Sequence, residues 1–183
     1  MALLPDRVVR GLLFDRDDTL VVDVPYNADP EKVVPVPGAV RAVAAARAAG
    51  LRLGVVTNQG VIAKGWATRD QVDATNQRVD DLVGPFDVWC VCPHGKDDGC
   101  RCRKPQPGMV LDAAEQLGLD PAELVVVGDI GADVGAALAA GAQGVLVPTH
   151  RTRAEEVAAA TTVAATIEEA VALVVERAAR AGA

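Results

Sequence analysis

Short apolar runs alternate with amphipathic stretches along this chain, separated by Gly, Pro and Asp. Short runs dominated by apolar residues, such as Gly11-Leu12-Leu13-Phe14, read as strands buried on both faces, because a half-exposed strand would alternate. Val8–Phe14, Leu51–Val56, Asp87–Cys92, Leu124–Gly128 and Gly144–Val147 are the strand candidates. Helix-period segments with start and stop signals lie between them. Pro37–Ala49 has Pro at its start and Gly50 after its end. Thr68-Arg69-Asp70-Gln71 is a capping box that opens a helix to about Val83. Pro107–Leu117 and Ala132–Ala140 follow, the second stopped by Gly141. Thr166-Ile167-Glu168-Glu169 is another capping box and starts the last helix. Strand–helix alternation of this kind predicts an α/β fold: a doubly wound parallel sheet with helices on both faces. No repeat, linker or composition break divides residues 1–183, so one domain is expected.

Composition narrows the partners. The net charge is −7, which argues against nucleic acid or an anionic membrane surface. A small anionic substrate still fits if positive charge is concentrated locally. No signal region and no bilayer-length apolar run are visible, so a cytoplasmic protein is expected. No association motif is evident, and a monomer is expected.

The chemistry sits at the predicted strand ends. The first strand runs into Asp15-Arg16-Asp17 and then Thr19. Two carboxylates there repel each other and are costly to desolvate. A divalent cation removes both problems, which points to Mg²⁺; the plainer alternative is an acidic turn closing a strand. The second strand runs into Thr57-Asn58-Gln59, and the fourth into Gly128-Asp129, with Asp133 four residues on. Arg103-Lys104-Pro105 precedes the helix near Pro107. A parallel sheet gathers these ends along one edge. Asp15, Asp17, Thr57, Lys104 and Asp129 then converge as a phosphoryl-transfer constellation. Asp133 has two readings, an acid facing a helix dipole or water-mediated support of the cation. Thr57 alone could cap backbone, and Lys104 beside Arg103 could be a solvated pair.

All the cysteines, Cys90, Cys92, Cys100 and Cys102, fall in one short segment. In a reducing compartment, clustering suggests metal rather than disulfides. Cys92, His94, Cys100 and Cys102 form a complete Cys₃His set for a structural Zn²⁺ in a loop over 92–102. The turn-rich Gly95–Gly99 stretch can fold back over a metal. Cys90 shares a strand face with Cys92 and is read as core.

The order Asp-x-Asp-x-Thr, strand-end Thr, Lys, then Gly-Asp-x-x-x-Asp resembles the haloacid dehalogenase superfamily of phosphatases. Cys92-Pro-His94, Cys100-Arg-Cys102 and Arg103-Lys104-Pro-x-Pro-Gly108 narrow the resemblance to its small zinc-containing branch, that of heptose-bisphosphate and histidinol-phosphate phosphatases. The resemblance implies Asp15 as nucleophile and Asp17 as general acid and base. It implies Mg²⁺ on Asp15, Asp129 and the carbonyl of Asp17, with Thr57 and Lys104 on the phosphoryl oxygens. It also implies substrate contacts from Asp23, Tyr26, Asn58, Gln59 and Arg103. Neither the interval from Thr19 to Pro37 nor the zinc loop has room for a cap domain, so a capless form is expected.

The chain departs from the pattern in places. Asp18 stands where the branch usually has Gly, and Asp tolerates left-handed backbone better than most residues. In Thr57-Asn58-Gln59-Gly60-Val61-Ile62-Ala63-Lys64-Gly65 a hydroxyl is lost and Lys64 replaces an Arg fork. Ile130 stands where Lys is common. The expectation is a Mg²⁺-dependent phosphatase that removes the 7-phosphate of a heptose 1,7-bisphosphate. Histidinol phosphate or another small sugar phosphate is the alternative substrate, and a zinc-stabilised binding module is the non-enzyme alternative.

Overall fold

The computed structural model describes residues 7–25 and 28–181. All strands pair in parallel in one sheet: β1 (Gly11–Phe14), β2 (Arg52–Asn58), β3 (Val88–Cys92), β4 (Leu124–Gly128) and β5 (Gln143–Leu146). Their order is β3-β2-β1-β4-β5. The chain winds outward from β1 to β3, then returns to pair β4 on the other side of β1. That reversal places a switch point between β1 and β4, where open α/β sheets bind ligands.

Both faces of the sheet are covered, as continuous apolar strands require. Leu12, Phe14, Leu53, Val55, Val125 and Val127 point to one face. There they meet α1 (Ala39–Ala48), α2 (Arg69–Val83) and α6 (Ile167–Ala181). Leu13, Val56, Val88, Cys90 and Val126 point to the other. They meet α3 (Gly108–Leu117) and α4 (Gly131–Ala140). Each element expected from the pattern is present, with ends shifted by a few residues. β1 is shorter than Val8–Phe14 because Val8 and Arg10 are exposed and the unbroken buried run begins only at Gly11. The Thr68 capping box forms in full. The pattern did not anticipate the short α5 (Ala154–Ala159) or the 3₁₀ turns Pro30–Lys32 and Pro121–Glu123. These pieces are too short to show a period. Among the described residues no helix is long and apolar enough to cross a membrane.

Candidate active site

The carboxyl ends of all the strands face one crevice, and each contributes. Asp15 follows β1, with its amide tied to Val127 of β4 at 2.9 Å. Thr57 and Asn58 close β2, Cys92 closes β3, and Asp129 follows β4. The loop after β5 carries Thr149, Arg151 and Thr152.

Lys104 is the hub. Its ammonium lies 2.6 Å from Asp15 Oδ1, 2.6 Å from Asp133 Oδ1 and 2.7 Å from the Val56 carbonyl, so its three donors are all engaged. Burial alone would pull its pKa down, but Asp133 and Asp15 outweigh that and hold it above the ordinary lysine value. Asn58 brackets its backbone, accepting from the Lys104 amide at 3.0 Å and donating to its carbonyl at 3.2 Å.

Asp133 is fully buried. One oxygen faces Lys104 and the other accepts from the Ile130 amide at 3.1 Å, at the start of α4. Gly128 makes room for it: a Cβ there would lie 2.3 Å from Asp133 Cβ. The dipole reading of Asp133 therefore covers only part of its role, because it also shares the Lys104 ammonium with Asp15.

Asp17 is held differently. Arg16 Nε and Nη2 each reach its carboxylate at 3.1 Å, and Gln59 Nε2 donates to Oδ2 at 2.8 Å. Arg16 is itself buried, with Nη1 on Asn76 Oδ1 of α2 at 2.7 Å. Gln59 also donates to the buried Thr57 hydroxyl at 2.9 Å. Its amide, expected among the substrate contacts, thus bridges Thr57 and Asp17 inside the protein. Arg16 and Asn76 escaped the sequence reading. A charged residue inside a buried strand end was the available signal for Arg16, whereas Asn76 is marked only by tertiary contact.

Asp129 receives the Thr149 hydroxyl at 3.4 Å on its carboxylate and the Thr152 hydroxyl at 2.6 Å on its carbonyl. Burial, then Asp133 and Asp18, push its carboxyl up to about 7. Burial, opposed by Lys104 but reinforced by Asp133 and Asp17, pushes Asp15 up to about 8. Lys104 compensates only part of this crowding. Asp15, Asp129 and Asp133 present oxygens within 4.8 Å of one another, a donor set suited to a hard divalent cation. Asp133 already spends both oxygens on Lys104 and Ile130, which leaves Asp15 and Asp129 as the better direct ligands.

A separate cluster lies at the β3 end. Cys92 Sγ is 3.2 Å from Cys102 Sγ and 3.7 Å from Cys100 Sγ, and His94 Nδ1 is 3.2 Å from Cys102 Sγ. A tetrahedral zinc with Zn–S near 2.3 Å has ligand–ligand edges of about 3.8 Å, close to these spacings. Burial first, then the two neighbouring thiols, push Cys102 up to about 12. A divalent cation relieves that cost by stabilising thiolates. The loop returns at α3, where a Cβ on Gly108 would lie 2.4 Å from the Arg101 carbonyl. Arg103 donates to the His94 carbonyl at 3.0 Å, so the cluster fixes the direction of this arginine. Beside it a cleft of about 700 Å³ is lined by Lys96, Arg101, Arg103 and Lys104 among others. Positive charge is thus concentrated locally in an acidic protein.

Asp23 sits on the loop after β1, paired with Arg151. Tyr26 lies outside the described residues. Asp18 adopts φ 55°, a left-handed conformation that costs a non-glycine residue roughly 1 kcal/mol and that Asp tolerates better than most.

A lysine shared between buried acids at the switch point of a parallel sheet fits a phosphoryl-transfer site. Residues 101–170 match the HAD-hydrolase-like family model. The heptose-1,7-bisphosphate 7-phosphatase of Pseudomonas putida is 42% identical over 147 residues, covering 76% of this chain and 83% of the relative. That of Pseudomonas aeruginosa is 37% identical over 145 residues, covering 76% and 82%. The crystal structure of the D,D-heptose 1,7-bisphosphate phosphatase from B. bronchiseptica, with magnesium and phosphate, superposes with a TM-score of 0.80 at 28% identity. It covers 92% of this chain and 99% of the other. The chain belongs to the heptose-1,7-bisphosphate 7-phosphatase family of the haloacid dehalogenase superfamily.

Proposed function

We propose that this protein hydrolyses the 7-phosphate of D-glycero-D-manno-heptose 1,7-bisphosphate through an aspartyl-phosphate on Asp15. The observation that carries the reading is the Lys104 ammonium held between Asp15 and Asp133 in the switch-point crevice. The named relatives support the substrate.

Asp15 attacks phosphorus with a carboxylate oxygen, and the bond from phosphorus to the sugar oxygen breaks. Lys104 keeps the attacking carboxylate in place, and its positive charge beside Asp15 favours the phosphoryl oxygens that arrive there. Asp17 gives a proton to the departing sugar oxygen. It then takes a proton from the water that attacks the acyl phosphate, which releases inorganic phosphate and restores Asp15. Gln59 keeps Thr57 and Asp17 in mutual register through both steps. Asp15 and Asp129, with the carbonyl of Asp17, would hold Mg²⁺, which when bound neutralises phosphoryl charge. Cys92, His94, Cys100 and Cys102 would hold a structural Zn²⁺ that keeps Arg103 aimed at the cleft. Arg103 then binds the second, non-reacting phosphate with a fork suited to it. Asn58 supports Lys104, and Asp23 and Tyr26 accept sugar hydroxyls.

Phosphate release from heptose 1,7-bisphosphate, histidinol phosphate and hexose phosphates, with and without Mg²⁺, tests this reading. Mg²⁺-dependent release, fastest on the heptose bisphosphate, is expected. Faster turnover of histidinol phosphate would overturn the substrate assignment and leave the chemistry standing.

A further inference from the structure

On the side of the crevice opposite the zinc cluster, two loops that carry separate parts of the site are tied together by charged side chains. Asp18 Oδ1 accepts from the Asp23 amide at 2.9 Å, and its Oδ2 faces Arg151 Nε at 3.3 Å. Arg151 Nη1 donates to the Asp23 carboxylate. These three residues close a triangle between the loop after β1 and the loop after β5. Asp18 is the only non-glycine residue with positive φ among those described, so a strained position is retained where its side chain makes two of the three links.

The triangle lies over reactive ground. The Arg151 loop also supplies Thr149 and Thr152, whose hydroxyls hold Asp129. Asp23 is close enough to Asp17 that, after burial, Asp17 is the largest influence raising its carboxyl, and Arg151 opposes both. Without Arg151 the Asp23 carboxylate would lose its paired cation while still facing Asp17 and Asp18. Val22 is anchored, its amide donating to the Val34 carbonyl at 2.9 Å. From Asp23 to Pro25 the loop has no helix or strand, and the links of the triangle hold Asp23. A carboxylate held in one direction at the mouth of a phosphatase site accepts hydrogen bonds from the hydroxyls of a polyhydroxylated substrate.

We propose that Asp18 and Arg151 are positioning residues for substrate selection, which brace Asp23 as the acceptor for sugar hydroxyls. The proposal rests on the sugar-phosphatase reading above and extends it to residues outside the reacting centre. It also gives Asp18 a function that glycine could not serve.

Kinetics on the full-length enzyme with Mg²⁺ test the brace. The substrates are the sugar phosphate that wild type turns over best and p-nitrophenyl phosphate, which carries no hydroxyls. Arg151→Ala and Asp18→Gly should each raise KM for the sugar phosphate with a smaller change in kcat. The ratio of kcat/KM for sugar over p-nitrophenyl phosphate should fall about tenfold, about the effect of one lost charge-assisted hydrogen bond. The double variant should be little worse than the worse single one, because both remove the same brace. Arg151→Lys should recover part of the loss. Asp18→Gly is safe for folding, since glycine adopts φ 55° freely. Equal losses on both substrates would overturn the proposal and make the loop a support of Asp129 alone. Additive losses, or an unchanged ratio, would also overturn it. Wild type that hydrolyses p-nitrophenyl phosphate but no sugar phosphate would instead overturn the substrate reading, and the purpose of the brace with it.

Discussion

The two clusters of metal-ligating side chains sit on the same edge of the sheet and solve opposite problems. At the end of β3, three thiols and one imidazole face one another, in contact with each other and without a charged partner between them. At the switch point, Asp15 and Asp133 already share a lysine, Asp133 also takes the Ile130 amide, and Asp129 takes one threonine hydroxyl on its carboxylate and another on its carbonyl. A closed Cys₃His set leaves no coordination position for a substrate, so its metal can shape the loop but not the reaction. A carboxylate site with a competing ammonium leaves oxygen sites free for water and phosphate. The difference teaches where sensitivity should lie. Losses at the switch point should abolish turnover in a folded protein, and losses at the thiol cluster should first cost stability and aim.

The strongest test of that contrast is Asp15→Asn. An amide cannot form the acyl phosphate and is a poor cation ligand, so turnover should fall by on the order of a thousandfold or more. Circular dichroism and zinc content should remain those of wild type. Near-normal phosphate release would refute the nucleophile assignment. Next in size is Cys100→Ala, which removes one of four ligands. Elemental analysis should find zinc lost, and thermal or urea unfolding should show a drop of several kcal/mol, on the scale of structural zinc sites. A variant that lost zinc but kept its melting temperature would remove the structural role from the cluster.

These residues were legible in the sequence because their signals are local. Asp15, Asp17, Thr57 and Asp129 each follow or end a strand that its apolar run marks, and Cys92 to Cys102 lie in one short stretch. The sheet then gathers them with no further information needed. What stayed hidden depends on partners far apart in the chain. Asp133 looks like any acid in the first turn of a helix, and only the approach of Lys104 turns it into half of a buried ion pair. Gln59 sits in an outward-reading loop but is buried between Thr57 and Asp17. Arg151 follows a strand by several residues, and nothing nearby in sequence announces Asp18 and Asp23 as its partners. Asp18 itself was visible as a departure, yet its purpose was not.

The pH dependence of cation binding sharpens the comparison further. Burial and neighbouring acids raise Asp15 to about 8 and Asp129 to about 7. The unfolded chain loses those protons near pH 4, so the metal-free folded protein binds more protons across the window from about 4 to about 8. Stability of the metal-free form should therefore fall as pH rises through that window. Mg²⁺ displaces the protons, so its apparent affinity should rise with pH and level off above about 8. Calorimetry in two buffers of different ionisation enthalpy should find proton release at pH 7 and almost none at pH 9. A pH-independent affinity would show that the carboxylates are not crowded in solution.

A smaller effect is expected where the two clusters communicate. Arg103 is directed by the His94 carbonyl and lines the cleft. Arg103→Ala should raise KM for a sugar bisphosphate about tenfold while changing KM much less for the matching monophosphate. Arg103→Lys should restore only part, because a point charge cannot make both bonds of a fork. Equal losses on the two substrates would put Arg103 at the reacting phosphoryl group.

The smallest effect belongs to Cys90, which marks the inner boundary of the thiol cluster. It lies two residues before Cys92 on β3, so the two share a face but stand about 6.6 Å apart along the strand. Its partner across the sheet is Val56, whereas Cys92 is opposite Asn58 at the strand end. Its sulfur lies 3.7 Å from the Gln116 side chain of α3, within the apolar layer between sheet and helix. Burial first, then Asp112, push the thiol up to about 11, so it stays protonated and is a poor ligand at neutral pH. Cys90→Ala removes one sulfur from a packed layer and should cost about 1 kcal/mol in urea unfolding. Zinc should remain at one per chain, and KM for the bisphosphate should be unchanged. A fall in zinc content would move the boundary of the metal loop into the strand and break the separation between core and cluster.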